Sequence, residues 1–369
     1  MISRRLKIAL TLMLAMTGLA ACGGSGGGGG ASTPPPAPPP TGGISGNGIA
    51  VGPISNFGSV VVNGVTYNTD SAVFTVNDQA GTQADLAVGD VVIVVGSIDS
   101  NGTTGTADTV LYDDLVKGPV DSIDVAANSL VVLGQNVLVG PDTSFDDSFS
   151  PASLLGVSVG QIVEVSGQFD ASGDIVATRI EPKPAGTQFE VHGTVSSLDS
   201  ANMTFNLRNL VVDYSSATLD NFNGGQIADG DFVEAKGASV GANGDLLATS
   251  VELESLAPDT ADGDHVEVEG FIVRFVSSTD FDVAGFTVTT NASTVFEGGV
   301  EADLGLNVKV EVEGDVDANG VLVADKVDIR RSKAVRSTAV VDSVDTGAGS
   351  LVILGITVTT DGLTRFEDK

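Results

Sequence analysis

Apolar and polar residues alternate most cleanly in Val163-Glu164-Val165 and Val310-Glu311-Val312-Glu313. A period of two marks a strand with one face in a core and the other in water. Both runs belong to a phrase that closes a Gly-to-Gly interval of seven residues and occurs four times: Gly89 to Gly96, Gly160 to Gly167, Gly230 to Gly237, and Asn307 to Gly314, where Asn replaces the first Gly. Helical periodicity is nearly absent. The chain therefore reads as a series of small β units, with this phrase as their best-marked strand.

The same order of elements returns around each phrase. A first strand is led by a small residue, at Gly52, Gly118, Gly193, Gly270 and Ala339. A hairpin follows, predicted to turn at Asn63-Gly64, Gly134-Gln135, Ala284-Gly285 and Leu354-Gly355. A third strand ends at Phe74, Phe145, Leu219, Phe296 or Phe366. A short helical segment, such as Ser153-Leu-Leu-Gly156 or Ala302-Asp-Leu304, leads into the phrase, and the last strand carries Ala107, Ala177, Ala248 or Ala324. Three strands, a short helix and two strands in about 70 residues match an oligonucleotide/oligosaccharide-binding (OB) barrel, the expected fold. The alternative, an immunoglobulin-like sandwich, wants seven strands in about 100 residues. The expected units span 44–113, 114–183, 187–255, 264–331 and 334–369. The fifth has Gly355-Ile-Thr-Val-Thr-Thr-Asp361 in near copy of Gly285-Phe-Thr-Val-Thr-Thr-Asn291, but the sequence stops at Lys369. It is expected to be truncated, with strand donation or self-association through its open edge as the alternative.

The repeat phrases resemble those of the bacterial family catalogued as domain of unknown function 5666, from about Gly48 onward. What carries the likeness is the small residue opening the first strand, the Gly-x-x-Val-Glu-Val-x-Gly phrase and the Ala of the last strand. Copy one departs from it, since Val91-Val-Ile-Val-Val95 lacks the Glu, and copy four lacks the leading Gly. The resemblance implies small β barrels in tandem behind an envelope-targeting signal, and it implies no biochemical role.

The N-terminus supplies an address. Arg4, Arg5 and Lys7 precede the mostly apolar run Ile8 to Met16, which is too short to span a bilayer and reads as an export signal over 1–21. Its end, Leu19-Ala20-Ala21-Cys22, resembles the lipobox of bacterial lipoproteins, which implies lipid attachment at Cys22, the sole cysteine. Gly23 after it favours the outer membrane over retention at the inner one. Residues 22–43 form a Gly/Pro-rich linker whose prolines, Pro34 to Pro40, stiffen it as polyproline II.

Charge narrows the partners. The net charge is −31, and loss of the signal's three cations makes it more negative still. Nucleic acid needs a basic footprint and is excluded on this ground. With one cysteine no disulfide can form within the chain, so each unit must hold by packing.

Candidate chemistry is sparse, and no cofactor, metal site or catalytic residue is expected. His192 and His265 are the only histidines, too dispersed in sequence to suggest a triad or metal cluster. Glu267 with Glu269, and Glu311 with Glu313, sit two apart and read as the wet face of a strand. Asp315-Val-Asp317-Ala-Asn319-Gly320 fits half of a calcium loop, but Lys326 stands where a bidentate Glu belongs. Turn chemistry accounts for it and for Asp99-Ser-Asn-Gly102 and Asp170-Ala-Ser-Gly173. Arg330, Arg331, Lys333 and Arg336 read as an exposed linker or a patch for an acidic neighbour. Ile93 and Val95 replace outward polar residues of other copies, which suggests that repeat 1 packs on another repeat. Tyr67, Tyr112 and Tyr214 are the amphipathic aromatics available for stacking. The resulting expectation is a non-enzymatic, lipid-anchored envelope protein serving as spacer or binding module, with a carbohydrate- or protein-binding surface lipoprotein as the alternative and a hydrolase as the less favoured one.

Overall fold

The structure, a computed structural model, describes residues 48–222, 225–330, 340–347 and 349–360. Cys22, the signal, the linker, Arg331, Lys333, Arg336 and Phe366 lie outside the described residues. Repeat 1 comprises β1 (Gly48–Asn56), β2 (Val60–Val62), β3 (Val65–Asn68), β4 (Val73–Val76), β5 (Gln79–Gly81), β6 (Val91–Ile98) and β7 (Thr104–Tyr112). Repeat 2 comprises β8 (Val116–Asp124), β9 (Ser129–Val132), β10 (Gln135–Phe145), β11 (Ile162–Phe169) and β12 (Ile175–Pro182). Repeat 3 runs through β13 (Phe189–Asp199), β14 (Thr204–Leu207), β15 (Leu210–Asp213), β16 (Thr218–Asp220), β17 (Phe232–Val240) and β18 (Leu246–Leu253). Repeat 4 has β19 (His265–Ser277), β20 (Asp280–Val283), β21 (Phe286–Thr289), β22 (Val295–Glu297), β23 (Lys309–Val316) and β24 (Leu322–Ile329). Single 3₁₀ turns at Gln83–Asp85, Leu154–Gly156 and Glu301–Asp303 occupy the place of the predicted short helix.

Each of these repeats closes on itself. In repeat 2, β8 pairs with β9, β9 with β10, β10 in parallel with β12, β12 with β11, and β11 with β8 again. The same circuit closes in repeat 1, in repeat 3 and in repeat 4. One closed sheet per repeat is the five-stranded OB-like barrel, not the two facing sheets of a sandwich. Among the described residues of the fifth repeat, β25 (Val341–Asp345), β26 (Ser350–Ile353) and β27 (Ile356–Thr359) form a three-stranded meander.

The ends of the recurrent phrase have separate physical causes. Gly89, Gly160 and Gly230 take φ of 95°, 82° and 98°, and Asn307 takes 63°. This is the left-handed region, where Asn is among the few non-glycine residues accommodated, so it can stand in for Gly. The closing residue needs smallness instead. Gly96, Gly167, Gly237 and Gly314 each follow a register shift and face Ala107, Ala177, Ala248 and Ala324 on the last strand. A Cβ on Gly96 would lie 2.0 Å from the Thr106 carbonyl oxygen, and one on Gly314 2.1 Å from that of Val323. The two strands meet too closely for a side chain, and the bulge bends them around the barrel.

One hairpin differs from expectation, and another turns where no turn was predicted. Repeat 2 turns at Leu133-Gly134, both at positive φ, because Gln135 already pairs with Val132 in β10. Repeat 3 turns at Arg208-Asn209, with Arg208 at φ 53°, a turn without a glycine signal.

The barrels are joined through strands. β1 runs parallel to β19, from Gly48 opposite His265 to Val51 opposite Val268, so repeats 1 and 4 share a 13-stranded sheet. β8 and β13 pair antiparallel at Lys117 with Glu190 and Val116 with Val191, joining repeats 2 and 3. Ala50, Val92 and Val94 fill the core of repeat 1, whereas Ile49 and Val51 join the core cluster of repeat 4, with Ile93 and Val95 packed against it. The apolar outward face of repeat 1 is thus covered by repeat 4, not by its sequence neighbour.

Gly314→Ala forces its Cβ against the Val323 carbonyl and is expected to destabilise by about 1–3 kcal/mol. Asn307→Gly keeps the left-handed backbone but loses the side-chain oxygen that accepts from Ala171 N at 2.7 Å, a loss of about 1 kcal/mol. Urea midpoints should rank native, then Asn307→Gly, then Gly314→Ala; an unshifted Gly314→Ala would remove the steric account.

Candidate functional site: a charged junction and a groove between barrels

Strand alternation puts four side chains per repeat on the outside of the first strand and the phrase strand. In repeat 1 they are Ile49, Val51, Ile93 and Val95; in repeat 3, Glu190, His192, Glu234 and Lys236; in repeat 4, Glu267, Glu269, Glu311 and Glu313. Repeat 2 presents Leu115 beside Lys117, Glu164 and Ser166. The expectation of a wet face is overturned here. Glu164, Glu190, Glu234, Glu267 and Glu311 are all buried, because another barrel or a cation covers each.

At the meeting of repeats 1, 2 and 3 these groups form one network. Lys117 Nζ lies 2.9 Å from Asp114 and pairs with Glu190 across the β8–β13 seam. Glu164 takes Lys183 at 3.1 Å and accepts hydrogen bonds from the Tyr112 hydroxyl at 3.1 Å and the Asn77 side chain at 3.3 Å, both from repeat 1. Lys236 Nζ sits 2.9 Å from Glu234, 2.7 Å from Asp78 of repeat 1 and 3.5 Å from Glu190. His192, stacked on Phe232 at 6.3 Å, places Nε2 3.5 Å from Glu234. Arg179 reaches from repeat 2 to Asp90 of repeat 1 at 3.7 Å, besides Asp146 at 2.9 Å and Glu181 at 2.8 Å.

Burial shapes the titration of this network. It pushes Asp90 up to about 7, against the Ala87 backbone N–H and the Arg179 charge, and Glu234 up to about 7, against Lys236. Burial alone would lower Lys117, but the Asp114 and Glu190 charges raise it, so the ammonium stays charged.

Two spaces open between barrels. A cavity of about 120 Å³ is walled by all four repeats, with Ile93, Leu115, Phe169, Phe232, Leu256 and Phe271 among its lining and His192, Asp114 and Glu269 at its polar edge. A larger groove of about 1210 Å³ lies between repeats 1, 2 and 4, with Pro53, Asp142, Gln168, Phe271, Lys309 and Arg330 in its walls. Lys309 Nζ stands 5.9 Å from the Phe271 ring centre and 2.8 Å from Glu269, and Arg330 holds Asp328 at 2.9 Å and pairs with Glu311. Glu269, Glu311 and Asp328 of the groove are therefore committed to cations, whereas Asp142 is exposed.

Other sequence-derived candidates fall as follows. Asp317 Oδ1 accepts from Asn319 N at 2.8 Å and Val321 N at 2.9 Å, and Asp170 does the same for Ser172 and Asp174, so turn chemistry accounts for both loops. Tyr67 and Tyr112 are core residues and offer no stacking surface, and Tyr214 packs beside Phe205 at 5.6 Å. Arg330 pairs within its own repeat. His265, dismissed from sequence as isolated, lies with Glu267 and Glu313, their ligand atoms all within 4.8 Å of one another. Burial first, then the charges of Glu313 and Glu311, push Glu267 up to about 8. The signal for this grouping was present in the register of two neighbouring strands, which the linear spacing does not display.

The fold and its junctions define a class: tandem OB-like barrels locked together through the outward faces of two strands. The chain belongs to the family described as Domain of unknown function (DUF5666), whose model matches residues 50–110, 117–181, 192–252, 270–328 and 338–369. No curated protein matches it. Among solved structures it is similar to one described as drosophila Unr CSD456, at 17% sequence identity and a TM-score of 0.15, covering 60% of this chain and 99% of that one.

Folding raises Asp90 and Glu234 above their ordinary values of 3.8 and 4.5, so the folded chain binds these protons more tightly than the unfolded one. The stability they contribute is full below about pH 4 and is lost as pH rises toward 7, by at most about 1.4 kcal/mol per pH unit for each group. Urea midpoints should fall between about pH 4 and 7, and Asp90→Asn with Glu234→Gln should flatten the fall; an unchanged slope would contradict the assignment.

Proposed function

We propose that this chain is a lipid-anchored, non-enzymatic scaffold of the bacterial cell envelope, whose interlocked barrels present one groove of fixed shape to a protein or glycan ligand. The observation that carries the reading is the groove between repeats 1, 2 and 4, about 1210 Å³ in size and walled by parts of three barrels that are pinned to one another. Ligand sites favour such concave places between units. The groove's mix of an aromatic ring, two cations and exposed Asp142 suits a polar, extended ligand more than a small apolar one. Ion pairing of Glu269, Glu311 and Asp328 argues against their use as an acid and base pair, which supports the non-enzymatic reading. The anchor rests on Leu19-Ala20-Ala21-Cys22 and the outer-membrane placement on Gly23. The strong negative charge supports the exclusion of nucleic acid.

The test is capture from envelope glycan and protein extracts on the full chain, compared with Asp142→Arg and Phe271→Ala. A species retained by the native chain should lose about tenfold or more in affinity, at least about 1.4 kcal/mol, with thermal stability kept in Asp142→Arg. Retention indifferent to both changes, or no retention at all, would overturn the groove as a site. Labelled palmitate should enter the native chain and not Cys22→Ser; label in both would overturn the anchor.

A further inference from the structure

We propose that His265, Glu267 and Glu313 form a binding site for a divalent transition ion of the zinc class, set beside the seam where repeat 1 joins repeat 4. The three come together because β19 and β23 pair antiparallel, with Glu267 opposite Glu313 and His265 opposite Asp315. Residues two apart on a strand share a face, so one imidazole and two carboxylates converge on it. Their ligand atoms lie within 4.8 Å of one another, and His265 Nε2 is 3.8 Å from Glu313 Oε1.

Two observations beyond this clustering point to a ligand. His265 is 5% exposed and Glu267 7%, and His265 Nε2 and Glu267 Oε2 are both buried with no hydrogen-bond partner. A buried carboxylate oxygen and imidazole nitrogen left this way cost free energy unless something else satisfies them. His265 is also oriented as a ligand would be: Nδ1 lies 2.9 Å from Asp315 Oδ1, a contact in which the ring N–H donates to the carboxylate and leaves Nε2 as the free lone pair. Lys326 holds the other oxygen of Glu313 at 2.7 Å, so Oε1 faces the histidine.

Charge agrees with the assignment. Glu267, Glu313 and Asp315 against Lys326 leave the cluster two negative charges in excess when its carboxylates are ionised, which a divalent cation balances. An imidazole with carboxylates selects zinc, or its first-row neighbours, over calcium and magnesium, which take oxygen ligands. Glu313 is half-buried, which gives the ion a path from solvent, and the remaining coordination position is left to water. The Tyr67 hydroxyl from repeat 1 is likewise buried without a hydrogen-bond partner, and burial first, then the Glu267 charge, raise its pKa. Asn63, also of repeat 1, donates to the Glu267 carbonyl at 3.1 Å. The site therefore lies where repeat 1 packs against repeat 4.

The full chain, purified without a polyhistidine tag and treated with a chelator, is titrated with zinc chloride by calorimetry and with cobalt chloride by visible absorption. One equivalent of zinc should bind, raise the melting temperature, and displace cobalt showing a tetrahedral d–d band. His265→Ala and Glu313→Gln should abolish the stoichiometric site. Asp315→Asn, which removes only the outer partner, should weaken binding about 10- to 100-fold. Glu313→Gln, half-exposed, guards against a variant that merely fails to fold, and Asp317→Asn serves as an acidic control that keeps the site. Absence of one-to-one binding in the native chain, binding indifferent to these changes, or equal competition by millimolar calcium would overturn the proposal.

Discussion

The arrangement of the four barrels depends on the pairing of buried carboxylates with a scarce supply of cations. Between residues 48 and 330 there are nine Lys and Arg, and every one of them makes an ion pair. Lys117, Arg179, Arg208 and Lys236 do so across or beside barrel junctions. Arg208 of repeat 3 pairs with Asp174 of repeat 2, and Lys236 of repeat 3 with Asp78 of repeat 1. In a chain this acidic, a barrel docked wrongly would bury a carboxylate without a partner, at a cost of several kcal/mol. Correct docking is therefore selected as much by the penalty for unmatched charge as by any attraction within a pair.

Much of the barrel was legible in the sequence because its signals are local. The left-handed φ at Gly89, Gly160, Gly230 and Asn307 favours Gly and Asn, and the phrase begins with those residues. The closing Gly and the Ala on the last strand are two halves of one close approach, ten or so residues apart across a hairpin. The third strand ends at the expected aromatic only in repeat 2, at Phe145; Phe74, Leu219 and Phe296 lie instead in the separate short strands β4, β16 and β22, each parallel to the last strand. The repeat 3 hairpin was invisible for the complementary reason: Arg208 takes a backbone conformation that its side chain does not advertise.

The site was less legible, because alternation reports which residues point away from a barrel's own core and not what they meet there. Glu311 and Glu313 read as solvated from their spacing, yet Glu311 is covered and Glu313 takes part in a buried group with His265. Ile93 and Val95 hinted at contact, since two β-branched residues on an outward face are poorly suited to water. That hint named no partner. The partner is the repeat farthest along the chain among the four barrels, brought alongside by a parallel pairing of β1 with β19, more than two hundred residues apart. Composition of the two strands carries no register for such a pairing, which closes a loop of more than two hundred residues.

The same four outward positions are filled differently in every repeat. Repeat 1 offers four apolar residues, repeat 2 a lysine and a glutamate with a serine, repeat 3 two acids, a histidine and a lysine, and repeat 4 four glutamates. Identical repeats with identical faces would pile up in several registers or associate between chains, as unpatterned strands do. Four distinct faces leave fewer complementary arrangements than four alike would. Divergence of the copies at these positions, on a barrel that stays constant, is what turns a row of like domains into one body with a defined groove.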